Sequence, residues 1–79
     1  ELVKINRINI KKGSSIGEHT HLTNSEIVYV LEGEATIKFD GASEICKAGQ
    51  IHYCPKGHTH EIRNDNKKTL VFIGIIPEQ

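Results

Sequence analysis

Short runs of β-branched residues, interrupted at close intervals by glycine and proline, place the strongest limit on the fold of this chain. No segment shows the apolar spacing that an amphipathic helix requires. Short strands separated by turn residues at this density are typical of a β-sandwich or a small barrel. We therefore predict an all-β protein whose strands lie at 3–10, 16–21, 25–32, 35–39, 43–47, 51–54, 58–64 and 69–76.

The length of 79 residues limits how stable such a fold can be on its own. A chain of this size buries only roughly 60–65% of the surface that its unfolded form exposes. Small domains usually gain further stability from disulfides, a metal ion or a partner subunit. Two cysteines, Cys46 and Cys54, are too few for a disulfide framework, and two buried free thiols fit this composition better than one bridge. A metal ion and self-association remain as sources of stability.

The chain carries ten basic and ten acidic residues, and it has no basic stripe. We therefore expect no nucleic-acid partner. No apolar run approaches the roughly 20 residues of a membrane-spanning helix, so we expect no membrane partner either. The beginning of the chain shows no signal-peptide pattern, and the absence of methionine indicates that the native start is missing or was processed. The cytoplasm is the expected location.

The alternation of apolar and polar residues predicts which side chains face the core, because neighbours on a strand point to opposite sides. In the strand at 35–39, the inward set is Ala35, Ile37 and Phe39. In the first strand the apolar parity changes near 6–7, which predicts a β-bulge at that point.

Two runs, "IVYVL" at 27–31 and "LVFIGII" at 70–76, are apolar on both faces. Val28 and Val30 are expected inside, which leaves Ile27, Tyr29 and Leu31 as an outward apolar row. A chain this short cannot hide two such rows from water, so we expect a homodimer that packs sheet against sheet. The rival explanation is that an N-terminal extension beyond this chain covers them.

A pair of histidines, His19 and His21, lies two residues apart on a predicted strand, so both side chains point to the same side. Glu26 follows a turn-like stretch and can return beside them on the next strand. His60 shares its parity with the apolar Ile62 and should face the interior. Imidazole nitrogens with one carboxylate oxygen suit a first-row transition metal. An H-x-H pair alone is a weak signal, since surface histidines also occur in pairs by chance.

Two longer patterns include these residues. The pattern G-x5-H-x-H-x4-E-x6-G is filled by Gly13, His19, His21, Glu26 and Gly33. The pattern G-x5-P-x-G-x2-H-x3-N is filled by Gly49, Pro55, Gly57, His60 and Asn64. Both are cupin motifs, and the chain resembles a small single-domain cupin over about two-thirds of its length.

The resemblance implies a double-stranded β-helix, or jelly roll, with residues 1–79 forming one cupin domain. It also implies that His19, His21, Glu26 and His60 hold one divalent ion inside the barrel mouth. Ligand type permits Mn, Fe, Co, Ni, Cu or Zn. No fixed position of the metal-binding pattern is missing from this sequence.

Residues near the motifs give further expectations. On the strand at 51–54 we expect Ile51 and Tyr53 inside, which turns Cys54 away from the ion and disfavours a sulfur ligand. His58 either reaches the cavity, where it donates a hydrogen bond to a metal ligand or carries a proton, or lies solvated at a corner. Asn64 should be an inward hydrogen-bonding residue rather than a ligand.

Three histidines and one glutamate leave coordination positions open for water or substrate, as in catalytic metal sites. The favoured function is therefore a metal-dependent enzyme, oxygenase-type or isomerase-type, that acts on a small organic molecule. The alternatives are a non-catalytic small-molecule-binding or sensor module and a remnant in which the ion only stabilises the fold. A sugar-phosphate isomerase would need a cationic clamp, for which Lys38 and Lys47 are the nearest candidates, although parity sends Lys38 outward.

Overall fold

The computed structural model describes residues 3–21 and 24–77, with only the backbone at Glu18 and His19. Its eight strands are β1 Val3–Ile10, β2 Ser15–Thr20, β3 Glu26–Glu32, β4 Glu34–Phe39, β5 Ala42–Lys47, β6 Ile51–Cys54, β7 Thr59–Arg63 and β8 Leu70–Pro77. The all-β prediction is confirmed, and every predicted strand end lies within one residue of the observed one. No helix in the described part of the chain is long and apolar enough to cross a membrane.

The strands form two four-stranded antiparallel sheets, one with the order β1-β8-β3-β6 and the other with the order β2-β7-β4-β5. Chain neighbours such as β2 and β3 therefore lie in different sheets, which is the jelly-roll arrangement that the cupin resemblance implies. Two tight turns depend on residues that accept positive φ. Asp40 and Gly41 join β4 to β5 with φ of 50° and 84°, and a side chain on Gly33, between β3 and β4, would meet the Thr69 carbonyl oxygen at 2.8 Å.

Apolar side chains from both sheets fill one end of the space between them. Phe72, Leu70, Val30, Ile37 and Ile62 are fully buried there. The inward positions of β4 follow the predicted alternation, since Ala35 and Ile37 are buried and Phe39 is partly buried. This cluster is the hydrophobic core, and burial of such side chains is the main stabilising contribution to a fold of this kind.

The outer face of the β1-β8-β3-β6 sheet is also apolar. Its members, here called the outer apolar face, are Val3, Ile5, Ile27, Tyr29, Leu31, Ile51, Tyr53, Ile73 and Ile75. They are contiguous across the sheet, because Ile5 pairs with Ile75, Ile75 with Ile27, and Ile27 with Tyr53. The predicted outward direction of Ile27, Tyr29 and Leu31 is confirmed.

The predicted β-bulge near 6–7 is wrong. β1 pairs with β8 in unbroken register from Val3 to Ile10. The apolar parity changes because Val3 and Ile5 belong to the outer apolar face, whereas Ile8 and Ile10 pack toward the core. Register shifts occur instead between Val30 and Glu32 and between Ile16 and His19.

Candidate metal site

Polar side chains collect between the sheets at the end opposite the apolar core. Glu26 starts β3 and pairs with Cys54 at the end of β6, and both are buried. Residues directly opposite each other in an antiparallel pair lie on the same face of the sheet. His60 on β7 of the other sheet is fully buried, and His21 follows the end of β2. The two sheets therefore direct four potential ligands into one region.

Three of these side chains meet at nearly equal distances. His21 Nε2 lies 3.0 Å from Glu26 Oε1, His60 Nε2 lies 3.0 Å from the same oxygen, and the two Nε2 atoms are 3.1 Å apart. Ligand atoms about 2.1 Å from one ion, at right angles to each other, are about 3.0 Å apart. Two histidines and one carboxylate on a single face of an ion also form a recurrent transition-metal set with open positions. The donor spacing therefore fits a divalent ion.

The fourth sequence-predicted ligand is His19. Its backbone pairs with that of His60 across β2 and β7, but its side chain lies outside the described residues. The structure thus brings together the side chains of His21, Glu26 and His60, and it places the backbone of His19 beside His60.

Gly74 makes room for the carboxylate of Glu26. A Cβ atom built on Gly74 would lie 3.0 Å from Glu26 Oε2, which is closer than most side chains tolerate. Glycine inside a strand often marks such a close approach. The glycine that interrupts the apolar run of β8 therefore belongs to the site rather than to the core.

The expected orientation of β6 is wrong, and Cys54 lies beside the site. Ile51 and Tyr53 are 64% and 53% exposed, whereas His52 and Cys54 are 4% and 0% exposed. The apolar character of Ile51 and Tyr53 predicted the wrong orientation because this sheet carries apolar residues on its outer face as well as on its inner face. The nitrogen and sulfur ligand atoms of His21, Cys54 and His60 all lie within 4.8 Å of one another, so this group can also hold a metal.

The Cys54 thiol is protonated in this environment. Burial, together with the negative charges of Glu26 and Asp40, raises its pKa to about 11. Its Sγ also lies 3.7 Å from the carbonyl oxygen of His58. Cys46 is the other free and buried cysteine, which confirms the prediction of two free thiols.

His52 is a site residue that the sequence analysis placed on the wrong side. Its Nδ1 lies 2.7 Å from Glu44 Oε1, and its Nε2 lies 3.1 Å from His60 Nδ1. Burial lowers its pKa, although the hydrogen bond to Glu44 opposes this shift. The pairing of His52 with the buried Val28 on β3 is the signal that could have found it.

His58 occupies the exposed rim. Its side chain is 44% exposed, and its Nδ1 lies 2.5 Å from Asp40 Oδ2. The ring stacks on Phe39 with centroids 5.6 Å apart. Of the two expectations for His58, the exposed position favours the solvated one.

Other predicted roles are also resolved. Asn64 is fully buried and donates from Nδ2 to the carbonyl oxygens of Ile10 and Lys68 at 2.9 and 2.8 Å, so its structural role is confirmed. Lys38 and Lys47 are exposed, and Lys38 points outward as predicted.

Taken together, the fold and the polar end define a jelly-roll protein with a histidine–carboxylate cluster inside the barrel. The family model of the cupin domain matches residues 6–76. The chain belongs to the cupin family.

Individual relatives agree with this assignment. An oxalate-binding protein of Thermotoga maritima is 34% identical over 70 residues, which cover 89% of this chain and 58% of that protein. A solved structure from Thermotoga maritima, described as a predicted oxalate decarboxylase, has a TM-score of 0.92 and 32% identity, with coverage of 95% and 65%. A Cupin 2 conserved barrel domain protein from Salinispora arenicola has a TM-score of 0.90 and 26% identity, with coverage of 99% and 65%. The chain therefore spans about three-fifths of the length of these relatives.

Proposed function

We propose that this chain, as one cupin domain, binds a divalent transition-metal ion and uses that ion to hold a small organic acid. The proposed ligands are His19, His21, Glu26 and His60. The observation that carries the proposal is the near-equal spacing of His21 Nε2, Glu26 Oε1 and His60 Nε2. Mn, Fe, Co, Ni, Cu and Zn all accept this mixture of imidazole and carboxylate ligands.

The charge of the site favours an anionic ligand. Neutral imidazoles and one carboxylate contribute a single negative charge, so a divalent ion leaves the site positively charged. Bound there, the ion would supply a Lewis acid and an electrostatic anchor for a carboxylate. The relative named an oxalate-binding protein supports a small dicarboxylate such as oxalate as the ligand class.

A chemical step on such an acid is the second candidate function. Open coordination positions would suit an oxygenase-type or isomerase-type reaction, and the solved structure described as a predicted oxalate decarboxylase supports chemistry on this ligand class. His58 and Asp40, whose Nδ1 and Oδ2 atoms are 2.5 Å apart at the rim, would be candidates for proton transfer in such a reaction. Binding without turnover, as in a sensor module, has the stronger support because it requires only the observed donor cluster.

Isothermal titration of oxalate into metal-free and metal-loaded protein tests the proposal. We expect binding only after loading with Mn(II), Co(II) or Zn(II), and weaker binding of the longer succinate. Loss of oxalate binding in Glu26→Gln, with retention in the exposed-surface control Glu32→Gln, would support the assigned site. Equal binding by metal-free protein would contradict it. A turnover assay under O₂ with Fe(II) or Mn(II) separates the enzyme from the binding module.

Cys54 offers an alternative donor within the same cluster. A soft thiolate would favour Zn or Cu over Mn. A cobalt-loaded protein distinguishes the two ligand sets, because a sulfur ligand adds a thiolate-to-cobalt charge-transfer band that Cys54→Ser would remove. We expect no such band, since the proposed set contains only nitrogen and oxygen donors.

We also propose that a second copy of the chain covers the outer apolar face. Each large apolar side chain removed from water contributes roughly 1.5–3 kcal/mol, and this face spans all four strands of its sheet. The opposite sheet presents Thr36, Lys38 and Arg63 outward beside the exposed Ile45, so the contiguous apolar surface lies on the β1-β8-β3-β6 sheet. A two-fold dimer would bury the same surface on both partners.

Light scattering at tens of micromolar tests the dimer. We expect a dimer for the wild type, a monomer for Tyr29→Lys, and an unchanged dimer for Ile45→Lys on the other sheet. A monomeric wild type would contradict the proposal and favour coverage by a segment outside this chain. A dimer that survives Tyr29→Lys would place the interface elsewhere.

A further inference from the structure

A line of three side chains connects the candidate metal site with the barrel surface. Glu44 on β5 contacts His52 on β6, with 2.7 Å between Oε1 and Nδ1. His52 Nε2 lies 3.1 Å from Nδ1 of His60 on β7, and His60 Nε2 faces Glu26. His52 and His60 are buried, whereas the side chain of Glu44 is 52% exposed. The line therefore begins in solvent and ends at a proposed ligand.

The donor and acceptor in each hydrogen bond of this line follow from the Glu44 carboxylate at its solvent end. The Glu44 carboxylate can only accept, so His52 donates from Nδ1. With its one ring proton on Nδ1, His52 carries a lone pair on Nε2, which lies 3.1 Å from His60 Nδ1. That lone pair can only accept, so His60 donates from Nδ1. A neutral His60 protonated on Nδ1 directs its Nε2 lone pair toward Glu26 and His21.

Ring packing restricts His52 as well. Its ring is stacked on that of His60, with centroids 5.3 Å apart and planes 29° apart. Phe39 approaches the ring of His52 edge-on, with centroids 5.2 Å apart. The ring of His52 is therefore held on two sides, and its Nε2 stays aimed at His60.

His21 is held differently. Its Nδ1 lies 3.1 Å from the side-chain oxygen of Asn24, which is a neutral acceptor. The two histidines of the cluster thus point Nε2 toward the same place. On its Nδ1 side, His60 contacts the second imidazole of His52, which in turn contacts the carboxylate of Glu44.

We propose that Glu44 and His52 are positioning residues that hold His60 in the tautomer required of a metal ligand. This inference rests on the proposed metal function. Residues that orient a ligating histidine in this way commonly change metal affinity when replaced. The charge of a surface carboxylate would thereby reach the ligand through His52, without contacting the ion.

Imidazole ¹⁵N spectra of the metal-free protein test the tautomer directly. We expect His60 to carry its proton on Nδ1 in the wild type. His52→Phe keeps an aromatic ring in place but removes the acceptor, so His60 should lose its single tautomer. His52→Gln returns an oxygen acceptor and should restore it in part. Glu44→Gln can donate as well as accept, so it should also admit the other tautomer.

Metal titration of the same proteins gives the second readout. We expect His52→Phe to bind Co(II) about 10- to 100-fold more weakly than the wild type, with a smaller loss in Glu44→Gln. Glu32→Gln removes an equivalent charge from an exposed position on β3 and should leave both readouts unchanged. Circular dichroism confirms that each variant is folded.

Two results would overturn the positioning roles. One is a wild-type His60 protonated on Nε2. The other is a wild-type tautomer and a wild-type affinity in folded Glu44→Gln and His52→Phe. If the wild type bound no metal, the proposed function would fail, whereas the tautomer spectra would still decide whether Glu44 and His52 orient His60. Because Glu44 is exposed, Glu44→Gln should fold, and both measurements can be made on it even if His52→Phe does not fold.

Discussion

The two ends of the barrel interior are built from the same strands but serve different purposes. Along β3, the inward side chains change from Glu26 to Val28 and Val30, and along β7 they change from His60 to Ile62. One end is a close-packed apolar core. The other end holds titratable side chains within hydrogen-bonding distance of one another.

On these strands, the residues that stabilise the fold therefore lie only a few positions away from the residues proposed to bind the ion. Buried apolar side chains contribute stability without specific partners. Buried polar groups require matched partners, and without them each costs free energy. The polar end is therefore expected to contribute little to the stability of the metal-free protein, while it determines what the protein binds. Three substitutions, considered in order of their effect on the free energy of unfolding, can test this contrast.

Truncation of the apolar end should have the largest effect. Phe72 is fully buried, and Phe72→Ala should lower the free energy of unfolding by about 3–5 kcal/mol. A domain of this size is stable by only about 4–12 kcal/mol, so much of the stability would be lost. Urea denaturation monitored by circular dichroism measures the change. Ile45→Ala, at an exposed position of the other sheet, is the control and should cost less than about 1 kcal/mol.

Cys54 should make stability fall at alkaline pH. The unfolded thiol loses its proton near its ordinary pKa of about 9, whereas the folded thiol keeps it up to about 11. Between these values the unfolded state binds fewer protons, so stability decreases as pH rises. This contribution is fully present below pH 9 and is lost as pH approaches 11.

Urea titrations of the metal-free protein at several pH values measure that loss. Since lysine and tyrosine ionise in the same range, the difference between the wild type and Cys54→Ala isolates the thiol. The stability of Cys54→Ala should depend less on pH in this window. Identical pH profiles would show that Cys54 is not protected as described.

Substitution at the polar end should affect stability least. Glu26→Gln retains the side-chain volume and a hydrogen-bonding oxygen, so metal-free unfolding should change by about 1 kcal/mol or less. Metal affinity should fall by more than about 100-fold, since residues that merely orient ligands already change it by about 10- to 100-fold. A loss of stability comparable with that of Phe72→Ala would contradict the contrast between the two ends.

Much of the fold followed from the sequence because glycine and proline mark the turns and alternation marks the inward faces. Alternation failed on strands whose outward residues are apolar. On β6 it placed Ile51 and Tyr53 inside, and on β1 it suggested a bulge that is absent. Hydrophobicity identifies the buried side only when the other side is polar, so these strands needed their pairing partners.

The candidate site was predictable to the extent that its residues fall within the cupin motifs. His21, Glu26 and His60 converge as the spacing and the family resemblance suggested. Glu44 lies between the motifs, and His52 and Cys54 occupy unspecified positions of the second motif. Their contacts arise because β5, β6 and β7 meet in space. The sequence also did not predict that Gly74 leaves space for the Glu26 carboxylate, because the approach of Glu26 to β8 is a tertiary contact.

The central claim is that the polar end holds a divalent metal ion, and the metal content of the folded protein tests it most directly. Protein incubated with Mn(II), Co(II) or Zn(II) near neutral pH, then freed of unbound metal by gel filtration, is analysed for retained metal. The account predicts a single ion per chain in the wild type and in Glu32→Gln, release on acidification as the histidines protonate, and no retained ion in Glu26→Gln. A folded wild type that retains none of these metals would contradict it.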